Sequence, residues 1–226
     1  MTGQAGARSD GGPRHYGLYP AIVTKLTGDP LNLQRVQLRF PWLGSAGEKV
    51  RAWATLLSPY ADKDQGFQTV PERDSVVVVG FEAGELERPY IVGAMWTGHA
   101  HMPVEPSDDN NVRVLRTRSG SRLVFDDTQG AALVSLSVAG APDGAVHKIV
   151  LDDAGSITIT SKAGASVTLN PGGGIDIQAV SQLTIKAPMV NVDSAMVKCS
   201  GVVKCETLVT TTTVSSTYTP GAGNIW

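Results

Sequence analysis

From Ile157 onward the chain repeats itself. Pairs of apolar residues separated by one other residue recur at Ile157-x-Ile159, Val167-x-Leu169, Ile175-x-Ile177, Leu183-x-Ile185, Val190-x-Val192, Val197-x-Cys199 and Val203-x-Cys205. From first member to first member the steps are 10, 8, 8, 7, 7 and 6 residues. In an extended strand, residues i and i+2 share a face. Each pair therefore turns two apolar side chains one way and sends Thr158, Thr168, Asp176, Thr184, Asn191, Lys198 or Lys204 the other. Gly, Ser, Asp and Ala between the pairs suit tight corners. The unit is one short strand and a bend, repeated along an axis as in a β-solenoid.

A unit this short supplies one side of a cross-section and little else. A single-chain β-helix closes its section with longer turns and larger core side chains. Three chains wound together supply three sides, enclose the apolar pairs and remove most free strand edges. The repeat therefore predicts a trimeric, intertwined triple-stranded β-helix over 112–217. The shrinking step reads two ways, as a shaft that narrows toward its tip or as repeat drift with no mechanical meaning.

The chain upstream has a different texture. Residues 1–14 are Gly, Ala, Ser and charge, the composition of an untethered terminus. Residues 15–97 are varied and hold three of the four tryptophans. Val23, Val36, Leu38 and Phe40 stand among polar neighbours, and Val76 to Val79 form a β-branched block. Gly28-Asp29-Pro30, Pro41, Pro59 and Ala83-Gly84-Glu85 punctuate these runs. Several short strands in about 80 residues predict a small closed barrel or sandwich. Residues 98–111, GHAHMPVEPSDDNN, read as a connector. From Val112 to Thr217 the only aromatic residue is Phe125. The last segment, 218–226, breaks the repeat with Pro220-Gly221-Ala222-Gly223.

Charge excludes one class of partner. A net charge of −2 and a pI near 6.1 leave no basic stripe for nucleic acid. No charged start followed by an apolar run marks a secretory signal, so the expectation is assembly in the cytoplasm. No run approaches the roughly 20 apolar residues of a membrane helix. Cys199 and Cys205 are too few for a disulfide framework and are expected to behave as small buried hydrophobes.

The order of motifs in the head and neck resembles the central spike of contractile injection systems, the phage baseplate assembly protein V and VgrG-like spikes. The head carries Asp29-Pro30, Arg35-Val36, Arg39-Phe40-Pro41, Trp53-Ala54, Gly66, Pro71-Glu72, Asp74 to Phe81, Gly84, Arg88-Pro89 and Gly93-Ala94-Met95-Trp96. The neck carries Asn110 to Arg113, Arg116 to Gly120, Phe125-Asp126-Asp127 and Gly130. The resemblance implies an all-β chain with an oligonucleotide/oligosaccharide-binding (OB) type barrel and a trimeric β-helical needle. It also implies a homotrimer that docks a separate hub or baseplate protein and enters a target-cell envelope on firing. Arg73 departs from the usual Gly before the valine strand. No lysozyme-like insert lies between head and shaft, so no hydrolase activity carries over, and the His-x-His iron motif that closes some phage tips is missing from the shaft.

Candidate sites were weighed on their chemistry. His99-x-His101 has a metal-like spacing but sits in the proline-broken connector without further ligands, so no metal, cofactor or catalytic residue is assigned. In Asp126-Asp127 and Asp152-Asp153, neighbouring residues of a strand point to opposite faces, so both pairs read as turn acids rather than dyads. Arg113, Arg116, Arg118 and Arg122 gather positive charge at the neck. They read either as a solvated face balancing Asp108, Asp109, Asp126 and Asp127, or as a contact for an acidic hub surface. Tyr218, Ile225 and Trp226 restore bulk at the C-terminal end, where they either plug the solenoid or offer an apolar platform to a PAAR-type tip protein. The leading function is a structural puncturing spike. The main alternative is a tailspike-like β-helix that binds or degrades polysaccharide, against which the scarcity of aromatic platforms in the shaft counts.

Overall fold

The computed structural model describes residues 13–98, 101–138 and 147–216. The chain divides into two compact units, 1–180 and 181–226.

The first unit opens with a closed five-stranded barrel. Its strands are β1 (Tyr19–Lys25), β2 (Val36–Arg39), β3 (Arg51–Leu56), β6 (Val76–Phe81) and β7 (Pro89–Ala94), in the order β1-β2-β3-β7-β6 and back to β1. Every pairing is antiparallel except β3 with β7, where Thr55 faces Tyr90 and Leu56 faces Ile91. A two-strand ribbon, β4 (Ala61–Asp62) and β5 (Gln65–Gly66), stands in the long connection between β3 and β6. Alternation selects the core. Ala21 and Val23, Val36 and Leu38, Ala52 and Ala54, Val77 and Val79 point inward with Phe40 and Ile91, and all ten are buried. Val76 and Val78 take the other face of β6, as the period of two requires. Trp42, Tyr19, Phe81 and His15 pack ring against ring around Phe40, with Tyr19 stacked on Trp42 at 4.6 Å.

After the connector comes a seven-stranded antiparallel meander. It comprises β8 (Val112–Arg116), β9 (Arg122–Asp126), β10 (Leu133–Ser137), β11 (Lys148–Asp152), β12 (Ile157–Thr160), β13 (Ser166–Leu169) and β14 (Ile175–Gln178), each paired with the next. Short turns join β8 to β9, β11 to β12, β12 to β13 and β13 to β14. Gly155 and Gly164 hold φ of 88° and 90° at two of these corners, a left-handed conformation that disfavours any side chain. The register lines up two apolar rows on one face. One runs Leu115, Leu123, Leu136, Ile149, Ile159, Val167, Ile177. The next runs Phe125, Val134, Leu151, Ile157, Leu169, Ile175, with Arg113 at its β8 end. The opposite face carries Ser, Thr and charge with Val112, Val114, Val124, Val150 and Leu133 among them.

The second unit is built differently. From Ser181 to Ser216 the backbone has no regular secondary structure and is punctuated by bends at Ser181, Pro188, Ala195, Ser200-Gly201, Glu206, Thr211 and Ser216. The spacing falls from seven residues to six and then to five, which carries the shortening of the repeat beyond Cys205. No strand pairing joins the stretches between these bends among the described residues.

The sequence predicts one intertwined β-helical shaft over 112–217, with a unit that shortens toward its end. Pairing within the chain changes along that span among the described residues. Up to Gln178 the strands pair within the chain, and from Ser181 they do not. Alternation of apolar residues looks the same in both regions because it records which face is covered, not which chain supplies the neighbouring strand.

Candidate functional site

The barrel completes its own core, and the rest of the chain does not. Past Ile91 the only buried residue among those described is Ser135. The apolar rows of the meander lie open: Leu136 is 51% exposed and Ile175 65%. In the second unit Val190, Val197, Val203 and Leu208 are exposed too. An apolar face of this length on one sheet marks a surface built to be covered.

Cys199 and Cys205 belong to this exposed series. The sequence reading expected both to be buried. In the single chain they are not, because the repeat that carries them has no strand against it.

The four neck arginines do not form one patch. Arg113 bonds the Asp127 carboxylate at 2.8 Å and the Asn111 carbonyl at 3.1 Å. At the other end of the same hairpin, Arg116 and Arg122 stand directly opposite each other. No ion pair reaches either among the described residues. Arg118, in the turn between them, donates to Glu72 Oε2 at 3.1 Å and so links the hairpin to the barrel. Of the acids expected to balance these arginines, Asp127 does so. Asp126 accepts from the backbone N–H and hydroxyl of Thr128, and Asp152 from those of Ser156. Those hydroxyl bonds first, and the backbone N–H bonds after them, hold both carboxyls below the usual range. They are turn acids.

The head contains a clamp that sequence reading recorded as a motif without seeing its use. Asp29 accepts the guanidinium of Arg35 through both oxygens, Nη2 to Oδ1 at 2.7 Å and Nε to Oδ2 at 3.0 Å. The same carboxylate takes the backbone N–H groups of Leu31, Leu33 and Arg35. The guanidinium, aided by these N–H groups, holds the carboxyl far below its ordinary range. It pins a loop in which Asn32 and Gln34 both adopt positive φ. Beside this loop lies an open cleft of about 810 Å³ that reaches Tyr60 and Phe67. Arg35 is its one lining cation, already committed to Asp29, while Asp62 and Asp64 add negative charge. Such a cleft suits phosphates poorly.

Among the described residues no group of three His, Cys, Asp or Glu is placed to hold a metal, and no helix is long and apolar enough to cross a membrane. His99, Tyr218, Ile225 and Trp226 lie outside the described residues.

Comparison with known proteins matches the barrel. Residues 19–96 fit the family described as the type VI secretion system/phage-baseplate injector OB domain, and the matched span starts at the first residue of β1 and ends just after β7. The chain is similar to the type VI secretion system spike protein VgrG5 of Pseudomonas aeruginosa, with 28% identity over 112 residues, 47% of this chain and 14% of that protein. It is likewise similar to the spike protein VgrG3 of Vibrio cholerae, with 28% identity over 112 residues, 46% of this chain and 11% of that protein. The chain therefore spans less than a fifth of the length of either relative. Its head matches the injector OB domain family over 19–96, and the barrel is followed by antiparallel strands of the kind a β-helical segment uses.

Proposed function

We propose that this chain is the non-enzymatic spike of a contractile injection machine, a phage tail, a type VI-like apparatus or an extracellular particle, and that it works as a homotrimer. The observation that carries the proposal is the open apolar face of β8–β14 together with the run from Ser181, in which no strand ladder forms within the chain among the described residues. Three sheets set around a threefold axis with their apolar rows inward cover one another. Three such runs wound together supply one another with the strand ladder that does not form within one chain. The same packing takes Cys199 and Cys205 out of solvent. A closed β-structure without free edges is stiff, which is what a part driven through an envelope requires.

In this reading the OB head docks a separate hub or baseplate protein. The C-terminal segment with Tyr218, Ile225 and Trp226 seats a PAAR-type tip protein. The experiment is a pull-down with purified hub and tip proteins. Full-length chain retains both, and a version ending at Thr217 retains the hub and loses the tip. Unchanged tip binding by the shortened chain refutes the tip assignment, and failure of either version to retain the hub refutes head docking.

A further inference from the structure

Two strands of the meander carry opposite charges at their two ends. β9 with the residue after it reads RLVFDD (122–127), and β11 with the residue after it reads KIVLDD (148–153). Both run in the same direction, since each is antiparallel to β10 between them. Arg122 and Lys148 therefore stand on one edge of the sheet, and Asp127 and Asp153 on the other. Among the described residues, the other charges at the strand ends follow the same division, with Arg113 the exception. Arg116 ends β8 on the basic edge, and Lys162 lies there in the turn between β12 and β13. Asp126 and Asp152 lie on the acidic edge. Arg113 is the cation on that edge, and Asp127 already neutralises it.

Within one copy these edges cannot meet. A strand of five residues spans about 16 Å, far beyond ion-pair distance. Among the described residues no ion pair reaches Arg116, Arg122, Lys148 or Lys162, and none reaches Asp153. Arg116 and Arg122 face each other as like charges, an unfavourable arrangement unless an anion comes between or beside them.

We infer that each edge is occupied by the opposite edge of a neighbouring copy of this chain, with Lys148 against Asp153. The inference rests on the trimer proposed above and says how its copies are aligned. Around a threefold axis, three sheets with apolar rows inward bring the basic edge of each copy to the acidic edge of the next, a head-to-tail contact that closes on itself. Because β9 and β11 hold both signs at the same level, the pairing forms with no displacement of one copy along the axis. A slip by one strand, about 4.8 Å, sets Lys148 beside Leu133 of β10 or Ile157 of β12 in place of the acids that end β11. An inverted neighbour sets basic edge against basic edge. The apolar rows tolerate such slips, since one aliphatic side chain replaces another. The edge charges do not, and they fix register and direction.

The test uses the full-length chain with Lys148→Glu, Asp153→Lys and the two combined. Molecular mass comes from light scattering, and trimer strength from urea-induced dissociation at about 0.05 M and about 0.5 M NaCl, on either side of a screening length of about 10 Å. Each single reversal turns three attractive junctions repulsive, so the trimerisation constant falls on the order of 100-fold at low salt. The combined variant recovers most of that loss, and all differences shrink at high salt. Combined reversal no better than the worse single variant overturns the edge pairing, whether the cause is misfolding or loss of another contact. So do reversals that leave the trimer at wild-type strength. Loss of hub binding by the Lys148→Glu trimer, with its strength unchanged, reassigns the basic edge to the hub. A wild-type chain that is a folded monomer overturns the trimer itself, a result separate from these.

Discussion

In β6 of the barrel, Val77 and Val79 turn to one side and join Val23, Leu38 and Phe40 in a core closed to solvent. In β12 of the meander, Ile157 and Ile159 also turn to one side, yet both remain more than a third exposed beside the aliphatic side chains of their own sheet. The residue types and the period of two are alike. The difference is closure: β6 pairs back onto β1, while the meander ends in two free edges at β8 and β14. A barrel of five strands is complete in one chain, and an open sheet with one apolar face is half of an interface. The comparison teaches that alternation specifies a covered face without saying what covers it.

The largest way to break this contrast is to charge the shaft face. Ile175→Asp with Ile177→Asp removes from each copy two aliphatic side chains that the proposed trimer buries, each worth about 1.5–3 kcal/mol, and places carboxylates in their stead. The expected result is loss of the trimer on gel filtration while the head retains its folded tryptophan fluorescence. Next in size is the head. Phe40→Ala should cost the barrel about 3–5 kcal/mol and leave the trimer's mass unchanged, checked by thermal melting alongside light scattering.

A smaller effect follows from the Asp29 clamp. Its folded-state pKa lies below the unfolded value. The stability it gives is therefore present above the ordinary carboxylate range and lost as pH falls through the folded value. Asp29→Asn should lower the melting midpoint of the head at neutral pH. The gap to wild type should persist through about pH 4, where ordinary aspartates protonate, and close only in stronger acid. A gap that closes between pH 5 and 4 contradicts the clamp. Smallest is Arg118→Ala, which breaks an exposed pair with Glu72 and should change stability by about 0.2–1 kcal/mol.

Much of the fold was legible in the sequence, because period-two alternation and glycine-marked turns are local signals. The apolar pairs at 157–159, 167–169 and 175–177 fall on one face of consecutive strands, as their spacing implies. The boundary near Val180 was not legible, since hydrogen-bonding partners leave no trace in the alternation. The division of the neck arginines also escaped, because Arg113 and Arg116 are three residues apart in sequence yet lie on opposite faces and toward opposite edges of the sheet. Asp29 and Arg35 were visible as a motif. Their bidentate contact needed the loop to fold back by six residues, which no pattern of polarity encodes.

The central claim is that this chain finishes its head alone and its shaft only in threes. The most direct measurement is the mass of the full-length protein in solution by light scattering at micromolar concentration. The account predicts three times the 23.7 kDa of one chain. A folded, stable species at the mass of a single chain would contradict it.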